Sequence, residues 1–110
     1  MAADEDRTHI GERLRTLQLC ALYRRTITLT CPAGHVRRID AVALWWMYAR
    51  RMWDDRLPAA LRRLYCARCQ QAGQRRVRFT AAITRDPPDP DQPPMPDERE
   101  WKRVVSRHRA

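Results

Sequence analysis

The chain has 110 residues, a formal net charge of +9, and a composition of 44% hydrophobic and 32% charged residues. This length fits one small domain with tails, and the hydrophobic content is too high for a wholly disordered chain. The longest uncharged apolar stretch, 41–49, is too short to span a bilayer, and the N-terminus lacks the apolar core of a signal peptide. We therefore expect a cytoplasmic protein that does not bind membranes. Its cysteines are expected to be reduced, so closely spaced cysteines favour a metal-binding site over a disulfide bond.

The basic charge is concentrated in the middle of the chain. Residues 31–85 contain twelve arginines and three acidic residues, whereas residues 1–30 and 86–110 are nearly neutral. Of the 22 basic residues only Lys102 is a lysine, and arginine is the side chain suited to bidentate contacts with phosphate. Such a segment attracts polyanions. A GC-rich coding sequence also accounts for the arginine excess, and a solubilising surface also accounts for the charge.

The first predicted elements are a flexible segment, a short helix and a hairpin. Residues 1–9 are predicted to be flexible, and residues 11–23 have the apolar spacing of a short helix or turn, with Cys20 as a core residue. The segment 26–30 alternates threonine with isoleucine or leucine, which predicts a strand. Residues 36–39 are predicted to return as its hairpin partner after a turn that contains proline and glycine.

An aromatic helix is predicted after this hairpin, capped by Asp40 and extending over residues 41–53. One apolar face comprises Ala41, Leu44, Trp45, Tyr48 and Met52. A second apolar face comprises Val42, Trp46, Ala49 and Trp53. Because a small domain usually covers only one such face, the second is predicted to contact another part of the chain or another molecule.

A short helix, a strand and a linker are predicted next. The helix begins at Leu57, and the strand covers residues 76–84. The buried side of this strand is predicted to comprise Val77, Phe79 and Ala81. Residues 86–96 hold six of the eight prolines together with acidic residues, which predicts a semi-rigid linker that cannot join a sheet. Its acids either fold back on the basic domain or keep the linker extended.

Residues 97–110 predict a basic amphipathic helix at the end of the chain. Asp97 and Glu100 form a capping-box-like start. One apolar stripe comprises Trp101, Val104, Val105 and His108. A helix this short is marginal alone in water, so it is expected to dock either on the second face of the aromatic helix or on a partner.

Four candidate metal ligands occur in two close pairs. Three residues separate Cys31 from His35, and two separate Cys66 from Cys69. Two turns that each supply two thiolate or imidazole ligands close a tetrahedral site, so we predict a structural Zn²⁺. Ordinary buried cysteines and a redox C-x₂-C pair are the alternatives. The four predicted ligands are also the most reactive side chains of the chain, so metal binding would leave them unavailable for catalysis. Because no other arrangement of a nucleophile and a base is evident, we do not expect an enzyme.

The arrangement ITLTC…GHVRRIDAVAL…LPAALRRLYCARC resembles a group of small, mostly uncharacterised zinc-ribbon proteins of alphaproteobacteria and their phages, over residues 10–80. Cys31, Cys66 and Cys69 match that pattern. The second cysteine of the pattern is missing and its turn is one residue shorter, so His35 takes the place of that ligand. The resemblance implies a zinc-ribbon fold and, loosely, roles in nucleic-acid binding or transcription.

These features predict an α+β fold, a small zinc ribbon with an inserted aromatic helix and a proline-linked C-terminal helix. The zinc-ribbon domain is predicted to cover residues 10–85, the acidic linker 86–96 and the terminal helix 97–110. Its leading predicted function is nucleic-acid binding, as in transcription regulation, with phosphates contacted by Arg37, Arg38, Arg62, Arg63, Arg75, Arg76 and Arg78. The alternative is a protein-interaction adaptor that docks on a larger assembly through Trp46, Trp53, Trp101, Val104 and Val105.

Overall fold

The computed structural model describes Arg7 and residues 13–109, which form an α+β fold with five helices and one three-stranded antiparallel sheet. The predicted class is therefore confirmed, while the predicted flexible segment 1–9 lies outside the described residues apart from Arg7. In chain order the elements are α1 (Leu17–Leu22), β1 (Thr26–Thr30), β2 (Val36–Asp40), α2 (Ala41–Arg50), α3 (Leu57–Leu61), α4 (Ala67–Gln71), β3 (Thr80–Thr84) and α5 (Glu98–Arg109).

Strand β1 lies at the centre of the sheet, in the order β2-β1-β3. Ile27 pairs with Ile39 on one side and with Ile83 on the other, and Ile27 is buried, as the alternation of β1 predicts. Strand β3 is shorter than predicted and begins at Thr80. The predicted burial of Ala81 is wrong, because this small side chain lies on an edge strand and is exposed.

Helix α2 supplies the largest share of the core. It begins as predicted at Asp40, whose Oδ1 atom accepts a hydrogen bond of 2.8 Å from the backbone N–H of Val42. It ends at Arg50, earlier than predicted, because Met52 adopts a φ of 56° and turns the chain. Met52 is consequently 92% exposed, which corrects its predicted place on a buried face. The buried residues of α2 are Ala41, Val42, Ala43, Leu44, Trp45 and Tyr48. The first predicted face is therefore buried apart from Met52, whereas on the second face only Val42 is buried and Ala49 is exposed.

Two connections hold the short helices against α2. The hydroxyl of Tyr48 donates a buried hydrogen bond of 2.7 Å to the carbonyl of Ala60, which joins α2 to α3. The backbone N–H of Leu17, at the start of α1, donates to the carbonyl of Asp55. Cys20 on α1 is fully buried, as predicted.

The proline-rich segment, residues 86–96, lies along the outer edge of β2. It forms no strand, yet the backbone N–H of Asp89 donates to the carbonyl of Arg38 at 3.0 Å. The side chain of Gln92 accepts from the backbone N–H of Asp40 at 2.8 Å and donates to the carbonyl of Arg38 at 2.8 Å. The segment therefore folds back on the basic domain, one of the two arrangements that its acidic residues predict. It also satisfies the backbone groups of an otherwise open sheet edge.

Helix α5 packs on the chain's own core. The Oδ1 atom of Asp97 accepts a hydrogen bond of 2.8 Å from the backbone N–H of Glu100, which confirms the predicted cap. The ring of Trp101 lies edge-on to that of Trp45, with 5.9 Å between the centroids, and Val104 is buried. The helix therefore docks within the chain, but its aromatic contact is with Trp45 of the first predicted face of α2 and not with the second face as predicted. Among the described helices, none combines the length and apolar character that crossing a bilayer requires.

Candidate metal site and basic cleft

The four predicted ligands come together at the end of the sheet. Cys31 follows β1 and His35 precedes β2, so both lie in the hairpin turn. Gly34 in this turn has a φ of +91°, a conformation that glycine adopts more readily than other residues. Cys66 and Cys69 lie at the start of α4, and the backbone N–H of Cys66 donates to the carbonyl of Val77 at 2.9 Å. Two turns from distant parts of the chain thus face each other, as the spacing predicts.

The separations within this Cys₃His cluster match those of a tetrahedral metal site. The Nδ1 atom of His35 lies 3.4 Å from each of the three Sγ atoms, and the Sγ atoms of Cys31 and Cys69 are 3.7 Å apart. All four candidate ligand atoms lie within 4.8 Å of one another. Because metal–sulfur and metal–nitrogen bonds of about 2.3 and 2.0 Å place tetrahedral ligands roughly 3.5–3.8 Å apart, the cluster has room for one ion at its centre.

The three thiols of the cluster influence one another. Burial acts to raise the pKa of Cys31, but hydrogen bonds from the His35 backbone and from the neighbouring cysteines outweigh it, so this pKa is lowered. Burial, followed by the contacts with Cys66 and Cys31, raises the pKa of Cys69 to about 12. A cation bound in the cluster would favour the thiolate form of Cys69, which burial and its neighbours otherwise oppose.

Four predicted site residues, together with Tyr65 and Gln70, meet at a cleft of about 460 Å³. This basic cleft is lined by Trp53, Arg62, Arg63, Tyr65, Gln70 and Arg76. Trp53 follows the end of α2, and Arg62 and Arg63 follow α3. Tyr65 directly precedes the metal-site residue Cys66, so the cleft lies between the helical core and the Cys₃His cluster.

Guanidinium groups cover both aromatic rings of the cleft. The Cζ atom of Arg63 lies 4.1 Å from the ring centroid of Trp53, and that of Arg76 lies 5.3 Å from the ring centroid of Tyr65. None of the cleft's arginines forms a salt bridge with a carboxylate of the described residues. Arg62 interacts electrostatically with the nearby Asp54 carboxylate, while cation–π contacts hold Arg63 and Arg76 in place. The three arginines can therefore contact an anionic ligand without first breaking a salt bridge.

The seven predicted phosphate-binding arginines do not form one patch. Arg62, Arg63 and Arg76 line the basic cleft, and Arg78 lies 5.9 Å from the ring centroid of Tyr65. Arg75 is exposed next to this group. The remaining pair, Arg37 and Arg38, lies on β2 and does not line the basic cleft.

Arg37 and Arg38 are engaged by the proline-rich segment. Arg37 forms a salt bridge of 3.1 Å with Asp89, and Arg38 lies 3.8 Å from the carboxylate of Asp86. This pairing neutralises part of the charge that the sequence assigns to the nucleic-acid interface.

The predicted partner-binding residues are spread between the main core, helix α5 and the basic cleft. Val104 is buried, and Trp101 contacts Trp45 on one side and the guanidinium of Arg24 on the other. Trp46 lies half-buried with its centroid 5.8 Å from that of Trp45. Val105 is half-buried, and Trp53 lines the basic cleft. The adaptor function stays a prediction.

Sequence reasoning missed Tyr65 as a functional candidate. The signal available was an aromatic residue directly before the C-x₂-C pair, with arginine pairs on both sides of it along the chain. The contacts of Tyr65 with Arg76 and Arg78 form where the chain pairs through an isolated β-bridge between Tyr65 and Arg78. The sequence gives no local signal for that pairing.

Comparisons with known proteins return no match to a family model, to a curated protein or to a solved structure.

Proposed function

We propose that this chain is a zinc-stabilised basic module that binds nucleic acid through the basic cleft. The observation behind this proposal is the convergence of three arginines, none in a salt bridge with the described residues, on a cleft that two half-buried aromatic rings also line. Phosphate attracts arginine, and aromatic rings stack on bases, so the two residue types together suit a nucleic acid better than a simple anion.

The Cys₃His cluster supports zinc as the bound ion. Three thiolates and one imidazole in tetrahedral spacing are the ligands that Zn²⁺ prefers, and four protein ligands leave no position for a substrate. The metal would therefore be structural. Cys31, His35, Cys66 and Cys69 would hold it, and it would supply the cross-link that places Tyr65 opposite Trp53.

The number of arginines in the cleft predicts how strongly the affinity for nucleic acid depends on salt concentration. Each phosphate that an arginine neutralises releases condensed counterions, so the logarithm of the affinity falls with the logarithm of the salt concentration by about 0.7 to 0.9 per contact. Arg62, Arg63 and Arg76 are the side chains expected to make these contacts. Replacing two of them should lower both the affinity and the salt slope.

The test is a fluorescence anisotropy titration over a range of salt concentrations with single- and double-stranded oligonucleotides. The double variant Arg62→Gln/Arg76→Gln is expected to reduce the salt slope by about 1.4 to 1.8. The control Arg103→Gln/Arg107→Gln removes the same charge from exposed residues of α5 that do not line the cleft. Absence of binding by the unchanged protein at about 50 mM salt, or equal losses in both double variants, would overturn the proposal.

A further inference from the structure

We infer that the basic cleft takes unpaired nucleotides, so that the ligand is single-stranded RNA or DNA rather than a duplex. This inference rests on the proposed function and narrows it to one class of nucleic acid. It is carried by the arrangement of Trp53 and Tyr65 with the arginines that cover them.

Trp53 and Tyr65 are held in fixed positions in which a base can stack on each ring. The ring of Trp53 stands at 84° to that of Tyr48, with 5.3 Å between centroids, and its backbone N–H donates to the carbonyl of Tyr48 at 3.0 Å. Tyr48 is itself fully buried. The backbone at Tyr65 is fixed by its bridge to Arg78 and by the hydrogen bond that the N–H of the next residue, Cys66, donates to the carbonyl of Val77. A ring held in this way loses little conformational entropy when a base stacks on it.

The guanidinium groups extend these platforms. Arg63 lies 4.1 Å and Arg51 5.1 Å from the ring centroid of Trp53, while Arg76 and Arg78 lie over Tyr65 at 5.3 and 5.9 Å. A guanidinium plane stacks on bases as aromatic rings do, and it also bonds to phosphate. A base can therefore stack on a ring or on the arginine above it while the adjoining phosphate stays in contact with positive charge.

A duplex can contact the arginines through its phosphates, but it cannot stack its bases on the two rings. Its base faces are covered by the neighbouring pairs, and readers of the major groove present a protruding helix or a strand pair. Here the surface is concave, and the helices beside it, α3 and α4, have five residues each. Apart from the hydroxyl of Tyr65 and the indole N–H of Trp53, Gln70 supplies the uncharged hydrogen-bonding group on the cleft, so we expect stacking to dominate and base preference to be weak.

The experiment compares four ligands of equal length, about 12 nucleotides, by anisotropy with the full metal-loaded chain. They are a single-stranded RNA, a DNA of the same sequence, the corresponding DNA duplex, and a single strand with the same phosphates but abasic sites throughout. We expect at least one of the base-bearing single strands to bind at least about 10-fold more tightly than both the duplex and the abasic strand. Tyr65→Leu should weaken single-strand binding by about 5- to 100-fold, while Tyr65→Phe stays within about 2-fold.

The possible outcomes separate this inference from the proposed function. If the duplex or the abasic strand binds as tightly as every base-bearing strand, the inference is wrong while nucleic-acid binding stands. If no ligand binds, both are wrong. The abasic comparison uses the unchanged protein, so it decides the question even where Tyr65→Leu disturbs the neighbouring metal turn.

Discussion

The Nδ1 atom of His35 lies 3.4 Å from the Sγ atom of Cys66, although 31 positions separate the two residues along the chain. Between them lie β2, α2 and α3, which include half of the buried residues of the main core. Closing such a long loop restricts the unfolded chain more than the folded one. A metal ion in the cluster therefore stabilises the whole fold and not only the two turns that it joins.

We expect one Zn²⁺ per chain and loss of the ion in His35→Ala and in Cys66→Ser. Structural zinc contributes on the order of 10 kcal/mol in small zinc domains, so these variants should lose cooperative unfolding. Cys20→Ala is the matched control, because Cys20 lies in the main core and not in the cluster. Native mass spectrometry gives the stoichiometry and circular dichroism the unfolding. A folded chain with the mass of its amino acids alone would contradict the zinc proposal.

The contact between Asp89 and β2 should make stability depend on pH. Chiefly the backbone N–H of Arg38, and then the guanidinium of Arg37, hold the pKa of Asp89 below its ordinary value against the opposing effect of burial. Because the folded-state pKa is depressed, the carboxylate stabilises the fold at pH values above the unfolded pKa of about 3.9. That contribution disappears as the pH falls through the folded-state value.

Thermal unfolding of Asp89→Asn tests this dependence. Its Tm is expected to lie below that of the unchanged protein at neutral pH, and the difference should shrink as the pH falls toward about 3. Asp91→Asn is the control, since Asp91 is exposed and forms no salt bridge with the described residues. A difference that is constant with pH, or equal effects of the two variants, would show that the Asp89 carboxylate does not support the fold.

Tyr48→Phe should destabilise the chain by about 1–2 kcal/mol. The substitution leaves the carbonyl of Ala60 without the buried hydrogen bond that the Tyr48 hydroxyl donates at 2.7 Å, while the ring stays in place. Burial also raises the pKa of Tyr48 to about 12, so its neutral form contributes stability below pH 10 that is lost between pH 10 and 12. Urea unfolding of the metal-loaded protein measures the change. The control Tyr65→Phe should cost less than about 0.5 kcal/mol, and equal costs would contradict this account.

The elements with local signals were predictable from the sequence. The threonine alternation of β1 and the cap formed by Asp40 depend on neighbours a few positions away, and both agree with the structure. The metal cluster was also predictable, because the spacing of its two ligand pairs reflects the requirements of a turn.

Features that depend on distant contacts were not predictable. The early end of α2 depends on the left-handed conformation of Met52, which has no glycine to signal it. The neutralisation of Arg37 by Asp89 joins residues 52 positions apart, so a count of charges along the chain assigns that arginine to the free surface. The same holds for the basic cleft, where Trp53 and Tyr65 come from opposite sides of α3 in the sequence.

The docking of α5 gives a final prediction, which distinguishes residues that stabilise the core from residues that bind nucleic acid. The helix has 12 residues and is marginal alone in water, so its contacts with Trp45 through Trp101 and Val104 should decide whether it forms. Val104→Ala is expected to cost about 1–3 kcal/mol, and Trp101→Ala should leave the amides of α5 unprotected. Hydrogen exchange read by mass spectrometry measures this protection.

Arg103→Ala is the control for this experiment, because Arg103 is exposed on the same helix. Nucleic-acid affinity should be unchanged in Trp101→Ala, since the ring of Trp101 does not line the basic cleft. If the α5 amides keep their protection in both core variants, the contacts with Trp45 do not hold the helix. If affinity falls together with protection, then α5 contributes to the ligand surface and the separation of core and cleft is wrong.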